Sequence, residues 1–312
     1  MRHAGGNAAY AGAVPELPEV EIVARRASAA MAGRTIESLS VVGFNALRSL
    51  DPPPTTLEGT TVTGVGRRGK LLLVDTDSES LLLIHLMTGG GMTWKPGKVN
   101  PRDRAMRVVI RFADDGEPVR IRERGTRQAM WVRAIRRADL DAGDVPELAE
   151  LGPEAWWPSG AEDPAQVEAL VAALDAPRPL HSLLRDQRAF AGVGRTWSDE
   201  ILWAAHRSPY GRGSDLTPEE RTAFVRTARD VLDAALQHYE AKVPAIPAEK
   251  LAKPVKVHGK EGEPCPSCGT KLRGVFFESH TIAYCPKEQT GGKVLKDRRL
   301  SRLGIEDSLD ED

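Results

Sequence analysis

Short runs of alternating apolar and polar residues fill the first half of the chain, and turn-forming residues separate them. This two-residue period is typical of strands that bury one face. It predicts seven strands, at residues 35–42, 60–65, 70–75, 80–86, 105–112, 118–124 and 129–135. Clusters of glycine, proline and aspartate at residues 51–54, 89–91 and 114–116 are expected to form loops. So many strands with no helix between them predict an antiparallel β-sandwich.

Helical signals lie on both sides of this region. After Pro15 and Pro18, an acidic and then alanine-rich run ends at Gly33, which favours an N-terminal helix. Four more helices are expected in the second half of the chain, at residues 164–174, 179–186, 197–205 and 218–239. The predicted fold class is therefore α+β and multidomain, with an N-terminal helix and an antiparallel β-sandwich followed by a helical domain.

The chain has 312 residues, 41% of them hydrophobic, which is enough for two domains with separate cores. Its apolar runs, such as residues 71–74 and 81–84, are too short to cross a bilayer. Three cysteines, two of them spaced as Cys265-x2-Cys268, favour a metal site in a reducing compartment over a disulfide framework. We therefore expect a cytoplasmic protein without a membrane partner.

The net charge of −1 conceals a strong separation of charge along the chain. Residues 101–137 contain eleven arginines against five acids, and residues 242–300 contain twelve Lys or Arg against six acids. Residues 138–175, which lie between these regions, contain ten acids and no Lys or Arg. Two basic regions that flank an acidic connector are typical of a protein that binds a phosphate backbone. The alternative, evenly solvated faces, predicts interspersed signs.

Residues 15–21 have the sequence Pro-Glu-Leu-Pro-Glu-Val-Glu. The two prolines restrict the backbone, so the carboxylates of Glu16 and Glu19 lie on a stiffened start of the predicted helix. On composition alone, a proline-opened helix with solvated glutamates explains this segment equally well.

All seven of these residues resemble the start of the mature chains of the formamidopyrimidine-DNA glycosylase and endonuclease VIII (Fpg/Nei) family. The resemblance implies that Pro15 is the nucleophile and that the adjacent Glu16 is the acid that opens the sugar. An α-amino group has a pKa of about 8, against about 10.4 for lysine, so part of it is unprotonated at neutral pH. A secondary amine that condenses with the sugar C1′ gives an iminium, which acidifies the neighbouring C–H and prepares strand cleavage.

In the chain as written, Pro15 follows Val14, and its nitrogen is a tertiary amide without a basic lone pair. We therefore hypothesise that residues 1–14 form a leader that the mature protein lacks. A GTG codon for Val14 can serve as a bacterial start codon, and removal of the initiating methionine would then expose Pro15. The leader is rich in alanine and glycine and lacks the apolar core of a signal peptide.

Three segments of the predicted sandwich resemble DNA-contacting parts of the family. Lys70, in a turn of basic residues, resembles a catalytic-site lysine that contacts DNA beside the lesion, although a solvated hairpin is the more common explanation of such a turn. His85 and Met87 resemble the pattern His-Leu-x-Met-[ST]-Gly with one residue deleted, so Met87 would fill the gap left by an extruded nucleotide. A core methionine is the alternative. Arg124 lies where the family often has Arg-Arg-Phe-Gly and would face the orphaned base, but the aromatic residue is missing.

Residues 192–202 closely resemble the helix–two-turn–helix motif of the same family, with Arg195 in place of the usual asparagine. Two glycines before a helix bring backbone N–H groups to an anion. An arginine at this point is expected to retain phosphate binding with a steeper salt dependence.

The spacing Cys265-x2-Cys268-x16-Cys285-x2-Glu288 suits a zinc-finger-like β-hairpin with a structural zinc ion. The family has cysteine where Glu288 stands, and a metal-free hairpin held by aromatic residues is the alternative. At the hairpin tip His280 replaces an arginine that binds phosphates in the family. Its phosphate contact is expected to weaken as the pH rises through the titration of histidine, and a plain polar turn residue is the alternative.

The predicted domains are a leader (1–14), the catalytic sandwich (15–138), an acidic connector (139–163), the helix–two-turn–helix domain (164–252), the zinc-finger-like hairpin (253–302) and an acidic tail (303–312). The resemblance implies a monomeric bifunctional DNA glycosylase and AP lyase of base-excision repair at the nucleoid of a bacterium. Its partner would be double-stranded DNA with damaged bases or abasic sites, with a mild preference for oxidised purines. A non-catalytic damage-binding protein on the same scaffold is the alternative. A zinc-ribbon transcription or translation factor would leave residues 15–21 unexplained.

Overall fold

The computed structural model describes residues 14–100, 102–124, 128–277 and 279–296, and these form two compact units. The first unit consists of the chain up to residue 151 together with residues 235–252, and the second consists of residues 152–234 and the chain from residue 253. Residues 235–252, which the sequence analysis placed with the helical domain, thus group with the sandwich. Most of the predicted leader and the whole acidic tail lie outside the described residues. No helix among the described residues is long and apolar enough to span a membrane.

The first unit is an antiparallel sandwich with a helix at its start, as predicted. Helix α1 (Leu17–Met31) precedes two four-stranded sheets, with strand orders β1-β6-β7-β5 and β2-β3-β4-β8. All strand pairs in both sheets are antiparallel. The strands are β1 (Ile36–Val41), β2 (Val62–Arg68), β3 (Leu71–Thr76), β4 (Ser80–His85), β5 (Gly90–Thr93), β6 (Met106–Phe112), β7 (Val119–Glu123) and β8 (Trp131–Arg136).

The core of the first unit lies between the sheets, and α1 closes it with the stripe Val20, Val23, Ala27 and Met31. These residues recur at helical spacing, which explains why this run forms an amphipathic helix. Strand β4 is buried on both faces and contributes alternate side chains to two separate apolar clusters.

Residues 137–149, where the acidic connector was expected to begin, form two short helices, α2 (Arg137–Asp141) and α3 (Pro146–Ala149). Their apolar residues Leu140 and Leu148 pack against the outer face of the second sheet. The first part of the predicted connector is therefore an integral layer of the first unit. The acidic residues of α2 and α3 lie at the surface of these helices, which cover the second sheet.

Strand β5 occupies a glycine run that was expected to be a loop. A Cβ atom on Gly91 would lie 2.2 Å from the backbone oxygen of Glu249, and one on Gly90 would lie 2.2 Å from that of Leu86. Glycine is needed here because other backbone segments approach too closely for a side chain. The prediction of a loop was wrong because this requirement depends on tertiary contacts.

The second unit contains the predicted helices and the predicted hairpin. Helices α4 (Pro164–Leu174), α5 (Leu180–Arg185) and α6 (Arg195–Ala204) are followed by α7 (Pro218–Lys242), whose last residues belong to the first unit. The hairpin consists of β9 (Arg273–Phe277) and β10 (His280–Tyr284), and a short helix, α8 (Pro286–Thr290), follows it. Trp197, Ile201 and Leu202 of α6 are fully buried and form part of the core of this unit.

Candidate active site and nucleic-acid interface

The start of α1 is held by a buried carboxylate. Glu19 Oε2 accepts a hydrogen bond of 2.8 Å from the backbone N–H of Glu16, and the Tyr239 hydroxyl donates one of 2.7 Å to Glu19 Oε1. Glu16 and Glu19 are only 2% and 3% exposed. A buried carboxylate is costly without hydrogen-bond donors, so Glu19 stays bound to these two donors. Its hydrogen bond to the N–H of Glu16 fixes the backbone there and therefore the position of the preceding Pro15.

Tyr239 is a site residue that sequence reasoning missed. It lies 220 residues after Glu19, near the end of α7, and is 1% exposed. Burial, together with the neighbouring Glu19 carboxylate, raises the pKa of the Tyr239 hydroxyl, so this group stays protonated and remains a donor. No local signal marks it, since a tyrosine within an amphipathic helix usually belongs to the core.

The turn that carries Lys70 is tied to the same helix. Glu21 of α1 makes an ion pair of 2.7 Å with Arg67 Nε in β2, and the Arg67 guanidinium also donates to the carbonyl of Gly69. Gly69 has a φ of +56°, a conformation that favours glycine in a tight turn. Lys70 follows at once and is half-buried. The predicted nucleophile thus precedes a helix, and the predicted lysine follows a strand, that contact each other directly.

His85 lies beside this turn, because Leu71 pairs with His85 in the β3–β4 ladder. Its Nδ1 accepts a hydrogen bond of 2.9 Å from the backbone N–H of Met87. Burial, helped by the charges of Lys70 and Arg48, lowers the pKa of His85 to about 4. The ring is therefore neutral at pH 7 and carries its proton on Nε2, where it can only donate a neutral hydrogen bond.

Met87 adopts a backbone conformation that is uncommon for a non-glycine residue, with a φ of +50°. Its half-buried side chain packs against the apolar clusters on both faces of β4. These contacts agree with the core alternative for this side chain. Its action as a wedge in DNA stays a prediction.

Arg124 has a side chain that is 68% exposed and that forms an ion pair with Glu249 Oε2 at 3.0 Å. The other oxygen of Glu249 lies 2.6 Å from Arg122. Burial alone would raise the pKa of Glu249, but the two arginines lower it below its usual value. Arg124 is therefore exposed and also anchored by a carboxylate that a nucleic acid would have to displace.

In the second unit, the glycine turn before α6 is fastened by Gln187. Its side-chain oxygen accepts the N–H of Gly192 at 3.0 Å, and its side-chain nitrogen donates to the carbonyl of Val193 at 2.7 Å. Gly192 has a φ of +96°, which only glycine adopts readily. Arg195 follows as the exposed first residue of α6, with Nη2 3.4 Å from Ser279 Oγ. The predicted anion-binding turn and the hairpin are thus neighbours.

His280 is buried at 8% exposure, and its phosphate contact stays a prediction. Its ring stacks on His181 with centroids 5.1 Å apart, and its Nε2 lies 3.1 Å from Arg185 Nη1. Burial, followed by the charge of Arg185, lowers the pKa of His280 to about 3. The ring is therefore neutral over the physiological range, and the cation next to the ring is Arg185.

The acids that follow Arg195 hold the second unit together. The Glu200 carboxylate accepts the backbone N–H groups of Lys256, Val257 and His258 at 2.8 to 2.9 Å. Asp199 accepts from the ring of His258 at 2.7 Å and from the backbone N–H of Ala283 at 3.1 Å. These contacts fix the linker and the hairpin relative to α6. Sequence reasoning included both acids in the motif but assigned them no role.

The three cysteines converge as predicted. The sulfur atoms of Cys265, Cys268 and Cys285 all lie within 4.8 Å of one another, and Cys268 and Cys285 are 3.5 Å apart. Tetrahedral zinc, with Zn–S bonds of about 2.3 Å, places its sulfur ligands about 3.8 Å apart, so these three residues fit the ion. Burial raises the pKa of the Cys285 thiol to about 12, so its thiolate needs a compensating cation.

Glu288 does not join this cluster among the described residues. Its Oε2 lies 3.0 Å from His206 Nδ1, and Ser267 Oγ lies 3.5 Å from its Oε1. The role of Glu288 as the fourth metal ligand therefore stays a prediction. Its carboxylate is paired with His206 instead of the three sulfur atoms.

Two family models match the sequence. The formamidopyrimidine-DNA glycosylase N-terminal domain matches residues 14–129, and the formamidopyrimidine-DNA glycosylase H2TH domain matches residues 151–244. The formamidopyrimidine-DNA glycosylase of Salinispora arenicola is 31% identical over 288 residues, which cover 88% of this chain and 96% of the relative. The formamidopyrimidine-DNA glycosylase of Thermus thermophilus is 31% identical over 288 residues, which cover 89% of this chain and 100% of the relative.

Solved structures show the same fold. The crystal structure of MutM (Fpg) from Thermus thermophilus has a TM-score of 0.73 and 29% identity, with 90% of this chain and 100% of that chain covered. Lactococcus lactis Fpg in complex with DNA that contains N7-benzyl-Fapy-dG has a TM-score of 0.76 and 22% identity. The match covers 88% of this chain and 100% of that chain. At that identity the likeness establishes the fold alone.

Proposed function

Because the chain belongs to the formamidopyrimidine-DNA glycosylase (Fpg/Nei) family, we propose that it is a DNA glycosylase of base-excision repair that also cleaves the strand at the abasic site. The observation that carries the proposal is the buried chain of hydrogen bonds from Tyr239 to Glu19 to the N–H of Glu16. A nucleophile at a chain end needs such an anchor, since chain ends are otherwise mobile and poorly oriented for reaction.

In the proposed reaction, the mature protein starts at Pro15, whose free nitrogen attacks C1′ of the damaged nucleotide. The glycosidic bond breaks, the base leaves with the bonding electrons and takes up a proton, and the amine loses its proton, so that C1′ is bonded to both the proline nitrogen and O4′. Glu16, next to the nucleophile, then donates a proton to O4′ as the C1′–O4′ bond breaks, which opens the sugar ring and leaves an iminium at C1′. The iminium acidifies the C2′–H bond, and loss of that proton expels the 3′ phosphate and nicks the strand.

The remaining predicted residues hold the DNA in this scheme. Lys70 and the neutral His85 donate to the backbone beside the flipped nucleotide, Met87 fills the gap that it leaves, and Arg124 faces the orphaned base. Arg195 binds phosphate at the start of α6. The Lactococcus lactis neighbours, whose DNA carries N7-benzyl-Fapy-dG or an abasic site, support the choice of duplex DNA with such sites as the partner.

Zinc is proposed as a structural ion of the hairpin. Cys265, Cys268 and Cys285 would hold it, and Glu288 would be the fourth ligand in place of the cysteine of the family. The ion would supply no chemistry to the reaction, and its contribution would be to fix the hairpin next to α6.

Borohydride trapping tests the catalytic proposal. The protein starting at Pro15 and the protein with all 312 residues are incubated with a duplex that contains one abasic site, and sodium borohydride reduces any iminium to a stable crosslink. We expect a crosslink and a strand nick only with the protein starting at Pro15, because the amide nitrogen of the longer chain cannot react. Mass spectrometry of the N-terminus of the native protein checks the start independently.

Two outcomes would contradict the proposal. A protein starting at Pro15 that retards damaged DNA without crosslinking or nicking it would be a non-catalytic damage binder. A native protein that retains residue 1 yet nicks the duplex would require another nucleophile. Duplexes with an oxidised purine, an oxidised pyrimidine or an abasic site identify the lesion, and we expect the oxidised purine to be released fastest.

A further inference from the structure

The loop after β1 exposes apolar side chains that the fold does not use. Of the large hydrophobic residues that are exposed in the described part of the chain, three lie here: Phe44 at 87% exposure, Leu50 at 71% and Val42 at 52%. Single exposed apolar residues are ordinary, but three within nine positions of one loop are not explained by the packing of the fold. Phe44 is the most exposed of them.

This loop is fixed at both ends, so the exposure of Phe44 is a property of a defined backbone. The N–H of Val42 donates to the carbonyl of Arg107 at 2.8 Å, and the N–H of Arg48 donates to that of Val132 at 2.9 Å. Between these anchors, residues 44–46 form a short helical turn that buries Ala46 completely. The turn therefore presents the Phe44 ring to solvent from a rigid base.

The loop adjoins the residues proposed to contact DNA in the same unit. The Arg48 guanidinium lies 5.2 Å from the centroid of the Trp131 ring, and the His85 ring lies 5.7 Å from that ring. The Asn45 side chain donates to the carbonyl of Gln128 at 3.3 Å. The loop that carries Phe44 is thus linked to the candidate interface through Arg48 and Trp131.

We infer that Phe44 is a base-stacking residue, whose exposed ring packs on a nucleobase of the bound duplex beside the lesion. The inference rests on the proposed function. An exposed ring with an exposed cation in the same loop, here Arg48, is the combination that binds stacked bases and a phosphate backbone together. Charge complementarity favours DNA over an apolar protein partner.

Binding of a duplex that carries a tetrahydrofuran abasic analogue tests this role in the protein starting at Pro15. Stacking on one base contributes enough that Phe44→Ala should raise Kd by about tenfold. Phe44→Trp, which keeps a ring, should stay within about threefold of the wild type. Val294→Ala, which truncates an exposed apolar residue of the second unit, is the matched control and should bind like the wild type.

Salt dependence separates stacking from a phosphate contact. The slope of log Kd against log salt concentration should be the same for Phe44→Ala and the wild type, whereas Arg48→Gln should reduce it by about 1. A 2-aminopurine placed next to the abasic analogue reports the stack directly. Its fluorescence should be quenched by the wild type and by Phe44→Trp but less by Phe44→Ala.

The inference is overturned if Phe44→Ala binds within twofold of the wild type and quenches 2-aminopurine equally, while the wild type still crosslinks to abasic DNA. In that case the proposed function stands without it. If sedimentation also shows that Phe44→Ala dissociates a wild-type oligomer, this loop serves self-association, which likewise overturns the inference. A wild type that neither binds nor crosslinks damaged DNA removes the proposed function itself.

Discussion

Replacing Tyr239 with phenylalanine isolates the hydrogen bond that anchors the predicted nucleophile. The change removes one hydroxyl and leaves the buried ring in place, so no cavity forms. It deprives Glu19 Oε1 of a donor at 2.7 Å, while the N–H of Glu16 still donates to the other oxygen. Because both side chains are almost fully buried, water cannot simply replace the lost donor.

The size of the effect follows from the chemistry of this contact. A hydrogen bond to a charged group contributes about 1.5–3 kcal/mol, and each 1.4 kcal/mol of barrier is a factor of about ten in rate. If the hydrogen bond acts by positioning Glu16 and Pro15, Tyr239→Phe should lower the rate of borohydride trapping by about 10- to 100-fold. Kd for the abasic duplex should change by less than about twofold, because Tyr239 is buried and cannot touch the DNA.

Single-turnover trapping at saturating protein measures this rate, and fluorescence anisotropy measures Kd. Tyr210→Phe, which removes a hydroxyl from the second unit, is the matched control and should trap like the wild type. In the double variant with Glu19→Gln, the effects should be less than additive by about 1–2 kcal/mol, because both changes break the same contact.

The pH dependence sharpens the test. The raised pKa of Tyr239 means that the stabilisation from its hydroxyl is complete below about pH 10, where unfolded tyrosine ionises, and is lost only as the pH rises further. The deficit of Tyr239→Phe should therefore be constant between about pH 6 and pH 9. The positioning role would be refuted if Tyr239→Phe were trapped at the wild-type rate. It would also be refuted if the variant lost DNA binding in parallel with trapping.

Four further predictions concern the second unit. Arg195→Asn, which restores the amide of the family, should reduce the slope of log Kd against log salt concentration by about 1, and an unchanged slope would remove its phosphate contact. His280→Gln should leave the pH dependence of DNA binding unchanged between pH 6 and pH 8, because the pKa of His280 is about 3. The same lowered pKa makes the unfolding free energy fall as the pH drops from about 6.5 towards 3, since only the unfolded ring gains a proton there, and His280→Gln should flatten this fall. Elemental analysis should find one zinc per chain, and Cys268→Ser should lower this content and the melting temperature of the protein.

Elements whose signals are local could be predicted well from the sequence. Helix α4 begins at Pro164 because Asp163 caps it, with its carboxylate accepting the N–H of Ala165 at 2.9 Å, and its predicted bounds match the observed ones. The seven predicted strands are all present, since alternation along a strand is also a local property. The spacing of the three cysteines likewise predicted that they converge, as they do in the structure.

Features that depend on distant partners could not be predicted in this way. Helices α2 and α3 are short and acidic, and they form because Leu140 and Leu148 find an apolar sheet face that the local sequence does not reveal. The site shows the same limit, because Tyr239 and Glu19 meet across 220 positions of the chain. Neither a glutamate in the first turn of a helix nor a tyrosine within a long helix indicates that the two side chains are in contact.

His280 illustrates how the charge at a motif position depends on residues outside the motif. With histidine where the family has arginine, the pattern alone indicates a cation that is lost as the pH rises. The structure instead places the guanidinium of Arg185 3.1 Å from the ring, and this proximity is one reason why the ring stays neutral. Positive charge therefore remains at the same end of the hairpin but is carried by Arg185 of α5 and Arg195 of α6. Since arginine does not titrate in the physiological range, any phosphate bound there should be held independently of pH, the opposite of what the substituted residue suggests.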